Sequence, residues 1–358
     1  MITVEGASAD DVWRQAAARV CAAGERQEGR GGATKEVLHA AFTIADPRQR
    51  VVFARPINPA FAIAEVLWIL AGANDSEFLA FWNPRMRQFT DDAAPHVFHG
   101  AYGYRLGHRP RLSPGAARAL RHPAGRRAAG PDQLRRAVAA LAESPASRQV
   151  VLQIWDAERD LPDPLPRSRD VPCNIASHLL LRDGRLEWLQ VLRSNDLVWG
   201  LPYNIIQFTT LQEVVAGWLG VDVGTYTQVS DSLHTYERHW GALEAVTTDP
   251  VVVPRNGADL RIGPYEAWEE IFARLVDGAL ALTRASSAAA LLDIGATLAD
   301  QPPAYAEWAA LLTAEALRRR GYGEEAARVI SAAGPFWGAS WRRWAASVAA
   351  RNRSPEAA

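Results

Sequence analysis

Cys173 stands in the segment RSRDVPCNIASH, residues 167–178, and is one of two cysteines in a chain of 358 residues. By residue type alone it reads as a small core side chain, because free cysteine is among the most buried of residues. Its downstream neighbours suggest chemistry. Arg193 and Ser194 come 20 and 21 residues later, Asp196 at 23, Asn204 at 31, and His234 and Tyr236 at 61 and 63. Singly each has a plain structural explanation: a surface arginine, an asparagine opening a helix, a core histidine. Together they supply a thiol, a cation beside a hydroxyl, an amide that both donates and accepts, and two hydrogen-bonding rings. That set suits covalent chemistry on a phosphorylated pyrimidine.

C5 of a uracil or cytosine ring is a poor nucleophile until something adds at C6, and a thiolate adds there readily and reversibly. A neighbouring arginine is expected to lower the thiol pKa. Arg193 with Ser194 suits a 5′-phosphate, since guanidinium pairs bidentately with phosphate oxygens. The amide of Asn204 matches N3–H and O4 of uracil. Glu65 lies inside the nearly all-apolar run PAFAIAEVLWILAGA, where a carboxylate is costly unless paired or used. Burial is expected to raise its pKa, so that it passes protons to and from the ring carbonyl, directly or through water.

The elements that must position these residues are legible from pattern. Residues 8–24 read as an amphipathic helix with Cys21 packed inertly on its apolar side. GERQEGRGGATKE reads as a Gly/Arg loop, followed by strand, turn and strand through VLHAAFTIADPRQRVVFARP. Residues 60–72 read as the helix carrying Glu65, and 105–136 as an irregular, solvated excursion rich in Arg, Pro and Gly. RQVVLQIWD is a strand, and IASHLLLRDGRLEWLQVLRS is two strands joined at Asp183-Gly184. GLPYNIIQFTTLQEVVAGWLG is a buried amphipathic helix with a proline near its start, apolar residues at 205, 208, 211, 215 and 218, and a terminal glycine. TYTQVSDSLHTYERHW is a strand or loop, and residues 266–351 are helical. This pattern alone supports an α+β fold.

Composition narrows the function classes. Lys+Arg 39 against Asp+Glu 40 leaves no global field for nucleic acid or anionic membrane. Two cysteines make no disulfide framework and show no zinc-type spacing, so no metal is expected. No secretory signal or membrane span is read, and the setting is expected to be cytoplasmic.

The string PCNIASHLLLRDGRLEWLQVLRSNDLVWGLPYNIIQFTTLQEVV, with SDSLHTYERH beyond it, resembles the active-site region of thymidylate synthases and their relatives, the pyrimidine nucleotide hydroxymethylases. The resemblance runs from about residue 26 to 240. It implies a large twisted sheet flanked by helices, in a mixed α/β arrangement. It implies a catalytic domain over residues 1–262 with a helical extension, 263–358, packed on it. The implied cofactor is 5,10-methylenetetrahydrofolate, and the substrate a pyrimidine nucleoside monophosphate. Carried over by position, it makes Cys173 the nucleophile, Glu65 the catalytic acid and Tyr102 the residue that helps remove the C5 proton. It places Arg193 and Ser194 on the phosphate, Asn204 on the base, and His234 and Tyr236 on the sugar 3′-hydroxyl. Asp196 would bind the pterin and Trp82 line the folate pocket. Arg148 would reach the partner subunit's phosphate in a homodimer. The phosphate-loop arginine is Arg30, with Arg26 as competitor.

Three departures shape the expectation. Asn174 stands where thymidylate synthases usually have histidine, Gln149 replaces the second of two arginines, and the tail that closes over folate is replaced by a different helical segment. RSNDLVWGLPY and INPAFAIAEVLWILAGAND are closer to the hydroxymethylases. A site that admits water yields hydroxymethyl, whereas hydride from the folate yields methyl. The leading expectation is therefore a 5-hydroxymethylase, with thymidylate synthase next and a non-catalytic nucleotide or RNA binder third. Cytosine-specific members place aspartate at the position of Asn204, so uracil is favoured, although a freely rotating amide would also meet cytosine.

Overall fold

A computed structural model describes residues 1–29, 31–92, 94–121, 130–162, 168–246 and 252–353. The chain opens with β1 (Ile2–Gly6) and α1 (Ala9–Ala23). Ser8 and Asp11 close a reciprocal capping box at the start of α1. β2 (Glu25–Gly29) and β3 (Gly32–Ile44) then pair antiparallel, so the expected Gly/Arg loop is largely a hairpin. The strand expected after β3 does not form. Residues 51–53 are buried consecutively and lie between Pro47 and Pro56; an apolar run suits a core-lining loop as well as a strand, and the prolines remove ladder donors.

α2 (Pro59–Leu70) is capped by the Asn58 side chain, which accepts from the amides of Ala60 and Phe61. It is followed by α3 (Glu77–Trp82), α4 (Tyr102–Arg105), α5 (Pro114–Leu120), α6 (Gln133–Glu143), β4 (Val151–Gln153) and α7 (Ala157–Asp160). The expected irregular excursion at 105–136 therefore holds α5 and the start of α6. Residues 122–129 of it lie outside the described residues. β5 (Asn174–Arg182) and β6 (Arg185–Asp196) form the predicted hairpin, with Asp183 at φ 49° and Gly184 at φ 71°. Positive φ at both centres is the signature of the tight hairpin turn that asparagine or aspartate with glycine favours.

From β6 the chain crosses through α8 (Gly200–Leu219) to β7 (Asp222–Tyr236), which pairs parallel with β6. A parallel pair needs such a crossover. Gly220, at φ 67°, ends α8 as the sequence predicted. β3, β7, β6, β5 and β4 are consecutive neighbours in one mixed sheet, with β1 beyond β3 and β2 on its side. After α9 (Trp240–Glu244) come α10 (Tyr265–Arg284), α11 (Ala288–Thr297), α12 (Pro303–Arg319), α13 (Gly323–Val329) and α14 (Gly334–Arg353). Among these, α12 and α14 pack on α2, and α10 packs on α8. No helix among the described residues is long and apolar enough to cross a membrane.

α8 is more enclosed than an amphipathic pattern implies, since 17 of its 20 residues are buried. Its Glu213 pairs with Arg50 where both side chains are fully buried. Arg50 Nη1 also donates to Thr210 Oγ1 at 2.9 Å, and Glu213 Oε1 accepts from the Leu260 amide at 3.0 Å. One ion pair thus fastens α8 to the loop after β3 and to the segment leading into α10. Replacing Arg50 by methionine strands a buried carboxylate and should cost about 3–5 kcal/mol in chemical denaturation, whereas the double variant Arg50→Met/Glu213→Leu should recover a large part of that loss.

Candidate active site

The chain brings most of the candidate residues to one end of the sheet. Cys173 immediately precedes β5, and its carbonyl accepts from the Arg193 amide at 2.9 Å. Arg193, Ser194 and Asp196 close β6, while His234 and Tyr236 close the parallel β7, where Asp196 pairs in register with His234 and Ser194 with Ser232. The His234 and Tyr236 rings meet edge-on, 5.5 Å between centroids. Asn204 lies in the first turn of α8, pressed onto the end of β6. A Cβ at Gly200 would stand 2.9 Å from Asn195 Oδ1 and 3.6 Å from Asn204 Nδ2. Tyr102 opens α4, and Glu65 points from the middle of α2, its Oε2 accepting from Gln207 Nε2 at 2.6 Å.

Burial dominates the electrostatics. It pushes Glu65 up to about 7, with only the Gln207 hydrogen bond opposing. Cys173 is likewise raised: burial exceeds the pull of Arg193, and Asp170 and Asp196 add repulsion. This corrects the expectation of a thiol lowered by arginine. Arg193 is engaged with the loop itself, donating from Nε to the Pro172 carbonyl and from Nη2 to that of Val171, each at 3.0 Å. Burial holds the Tyr102 hydroxyl well above the usual phenol range; Cys173, Asp170 and Glu65 push the same way, against a contact from the Asn174 side chain. Thiol, phenol and two carboxyls therefore lie close enough to influence one another.

Asp196 lies near enough to this cluster to act on Cys173. Its Oδ1 accepts from the Val198 and Trp199 amides at 2.7 and 3.0 Å, and Oδ2 has no hydrogen bond within the described residues. The Trp199 ring lies beneath the guanidinium of Arg55, at 4.4 Å, and near that of Arg85, at 5.7 Å. A free carboxylate oxygen, an indole and two cations fit a flat, amino-bearing heterocycle with an acidic tail.

Other candidates stand apart. Trp82 is 1% exposed, held edge-on to Phe81 and Phe78, so it backs this region and presents no open face. Arg148 is exposed before β4, and its carbonyl accepts from His178 Nε2. Because Val151 pairs with His178, Arg148 sits toward the far end of β5 from Cys173. Arg30 lies outside the described residues. Its neighbour Gly31 backs onto Tyr236, where a Cβ would stand 2.7 Å from the ring. Arg26 is exposed and paired with Glu28 and Glu237. Cys21 is half-buried on α1.

Sequence reasoning missed Asp170, which burial pushes up to about 7. Its Oδ2 accepts from the Gly100 amide at 2.7 Å, tying the loop of Cys173 to the approach to Tyr102. A Cβ at Gly100 would stand 2.6 Å from the Asp170 carbonyl oxygen, so the two backbones touch. Gln207 was also missed. It lies one helical turn from Asn204 on the same buried helix, and that spacing was the available signal. Among the described residues no cluster of His, Cys, Asp and Glu could hold a metal ion.

The thymidylate synthase family model matches residues 11–274. The chain belongs to the thymidylate synthase family. Among its relatives, the deoxyuridylate hydroxymethyltransferase of Bacillus phage SP01 is 36% identical over 245 residues, covering 68% of this chain and 61% of that protein. The corresponding enzyme of Pseudomonas phage M6 is 36% identical over 249 residues, covering 68% and 64%. The thymidylate synthase of Bacillus licheniformis is 26% identical over 211 residues, 56% of this chain and 68% of the relative. This thymidylate synthase family member thus spans less than two thirds of the length of either phage relative.

The raised pKa of Glu65 has a sign that stability reports. Between the ordinary carboxyl value of 4.5 and about 7, the folded state keeps a proton that the unfolded state releases, so stability falls as pH rises through that window. Glu65→Gln removes this dependence. Its melting temperature should match that of the wild type near pH 5 and exceed it by a few degrees at pH 8, as calorimetry at the two pH values would show.

Proposed function

We propose that this chain transfers a one-carbon unit to C5 of a uridylate through a covalent adduct between Cys173 and C6, and that water completes the product as a 5-hydroxymethyl group. The observation that carries the reading is the gathering of Cys173, Tyr102 and a Glu65 whose pKa is near neutral at one end of the sheet. The two phage relatives named as deoxyuridylate hydroxymethyltransferases favour hydroxymethyl over methyl.

In this reading methylenetetrahydrofolate, held at Asp196 and Trp199, supplies the one-carbon unit at the oxidation level of formaldehyde. The Cys173 sulfur adds to C6 as Glu65 protonates the ring carbonyl, placing electron density on C5. Once C5 carries the new carbon, Tyr102 assists removal of the C5 proton, and the electron pair released breaks the bond from that carbon to the folate nitrogen, so that tetrahydrofolate would leave as the free amine and an exocyclic methylene stays on the nucleotide. Water adds to that methylene, the Cys173–C6 bond breaks, and the thiolate leaves. Arg193, Ser194 and Arg30 bind the 5′-phosphate, Asn204 reads the base, and His234 and Tyr236 hold the sugar.

Incubation with methylenetetrahydrofolate and, separately, dUMP, UMP, dCMP and CMP, followed by mass spectrometry, tests the reading. A hydroxymethylated uridylate is expected, and Cys173→Ala should abolish both the product and tritium release from C5-labelled nucleotide. A methylated product would make the chain a thymidylate synthase. Absence of tritium release with every nucleotide would leave a binding protein.

The working unit is a homodimer in this reading, supported by the sheet face opposite α8. Across four neighbouring strands, Val151, His178, Leu189 and Thr227 lie in register, as do Gln153, Ala176, Val191 and Val229. All are half-exposed or exposed, and Val151 is 57% exposed. Arg148 adjoins this face, remote from its own Cys173, and reaches the phosphate of the partner. Mixing inactive Cys173→Ala with inactive Arg148→Ala should then restore part of the activity, because mixed dimers contain one complete site. No recovery after subunit exchange would refute the shared site.

A further inference from the structure

A row of buried amides runs across the inner face of the sheet and passes through Asn204. Trp188 Nε1 donates to Gln190 Oε1 at 3.2 Å, and Gln190 Nε2 donates to Asn174 Oδ1 at 2.9 Å. Asn174 Nδ2 donates to Asn204 Oδ1 at 3.4 Å, and Asn204 Nδ2 donates to Asn195 Oδ1 at 3.2 Å. Asn195 Nδ2 then donates to Ser230 Oγ at 3.0 Å. Gln190 and Asn174 are fully buried, Trp188 is 1% exposed and Asn195 2%, so water does not stand in for a lost partner.

An amide can be turned end for end, which exchanges its donor and acceptor. In this row the turn is not free. The indole N–H of Trp188 only donates, so the oxygen of Gln190 must face it. The nitrogen of Gln190 therefore faces Asn174, whose oxygen receives it, and the same alternation fixes Asn204. The other terminus imposes nothing, because the hydroxyls of Ser230 and of Ser177, which donates to Gln190 Oε1 at 2.5 Å, can donate or accept. Reversing the row is possible everywhere except at Trp188, where N–H would meet N–H and leave a buried donor unpaired.

We infer that Trp188, acting through Gln190 and Asn174, sets which end of the Asn204 amide is acceptor and which is donor, and so which pyrimidine edge the site accepts. The inference rests on the proposed role of Asn204 as reader of the base. Uracil offers a donor at N3 and an acceptor at C4, and cytosine offers the reverse. With one amide orientation available, Asn204 matches one edge and opposes the other. Trp188, Gln190 and Asn174 are positioning residues here, and discrimination belongs to the row as a whole.

Equilibrium binding of dUMP and dCMP to the full chain, without folate, tests this separately from any reaction. The wild type should bind dUMP at least about tenfold more tightly. Trp188→Phe, which removes the hydrogen bond to Gln190, makes the two orientations equivalent and should bring the ratio of the two affinities within about threefold. Asn174→Asp offers only acceptors to its neighbours above the carboxyl pKa. Asn204 must then turn its nitrogen toward residue 174, Asn195 turns likewise, and Ser230 donates, so the preference should invert toward dCMP. Asn174→Asp also serves if Trp188→Phe fails to fold, as judged by near-ultraviolet circular dichroism. A wild type that binds both nucleotides equally, or a folded variant of either kind that keeps the wild-type ratio, overturns the inference while leaving the proposed reaction standing. A wild type that binds neither nucleotide, nor UMP or CMP, defeats the proposed function and the inference together.

Discussion

α8 is enclosed on nearly every side, so each of its polar side chains must find a partner inside the protein. Those partners are drawn from β5, β6, β7, α2, the loop after β3 and the segment leading into α10. Asn204 meets β5 and β6 through Asn174 and Asn195. Gln207 meets α2 through Glu65. Gln212 Nε2 donates to carbonyls of Leu186, Gly224 and Thr225, binding β6 to β7. Glu213 holds Arg50 and the Leu260 amide. The obligation to satisfy one buried helix places the candidate amide and the candidate acid at fixed offsets from each other, since Asn204 and Gln207 are one turn apart.

The same enclosure sets the charge state of the site. Desolvation is the largest influence on Glu65, Asp170, Cys173 and Tyr102 alike, and it moves each toward its neutral form. Arg193 lies near enough to oppose this at Cys173, yet its Nε and Nη2 hydrogen bonds order the loop in front of the thiol. Burial thus favours the protonated form of all four groups at the resting site.

The elements that carry the candidate site were legible in the sequence because each is specified locally. Proline near its start and glycine at its end bound α8, Asp183-Gly184 turns β5 into β6, and Asn58-Pro59 opens α2. What it did not show depends on contacts between distant segments. Asp170 looks like a surface acid until Gly100 docks on it. Arg193 looks like a free cation until its loop folds back. Residues 51–53 look like a strand until the sheet is found to close without them. The row from Trp188 to Ser230 was invisible for a further reason: alternation along a strand marks a face as inward but does not say that glutamine and asparagine on two neighbouring strands and on the helix above them fall in line.

The packing of α12 and α14 on α2 also bears on the order in which the molecule is made. α2 has 11 of its 12 residues buried, and part of that burial comes from helices synthesised some 240 residues later. At a ribosomal rate of roughly 5–20 residues per second, the stretch from α2 to α12 takes on the order of ten seconds or more to appear. For that interval the helix carrying Glu65 has an apolar flank with no cover. The nascent chain is exposed to chaperones and to its neighbours on the same message through that flank.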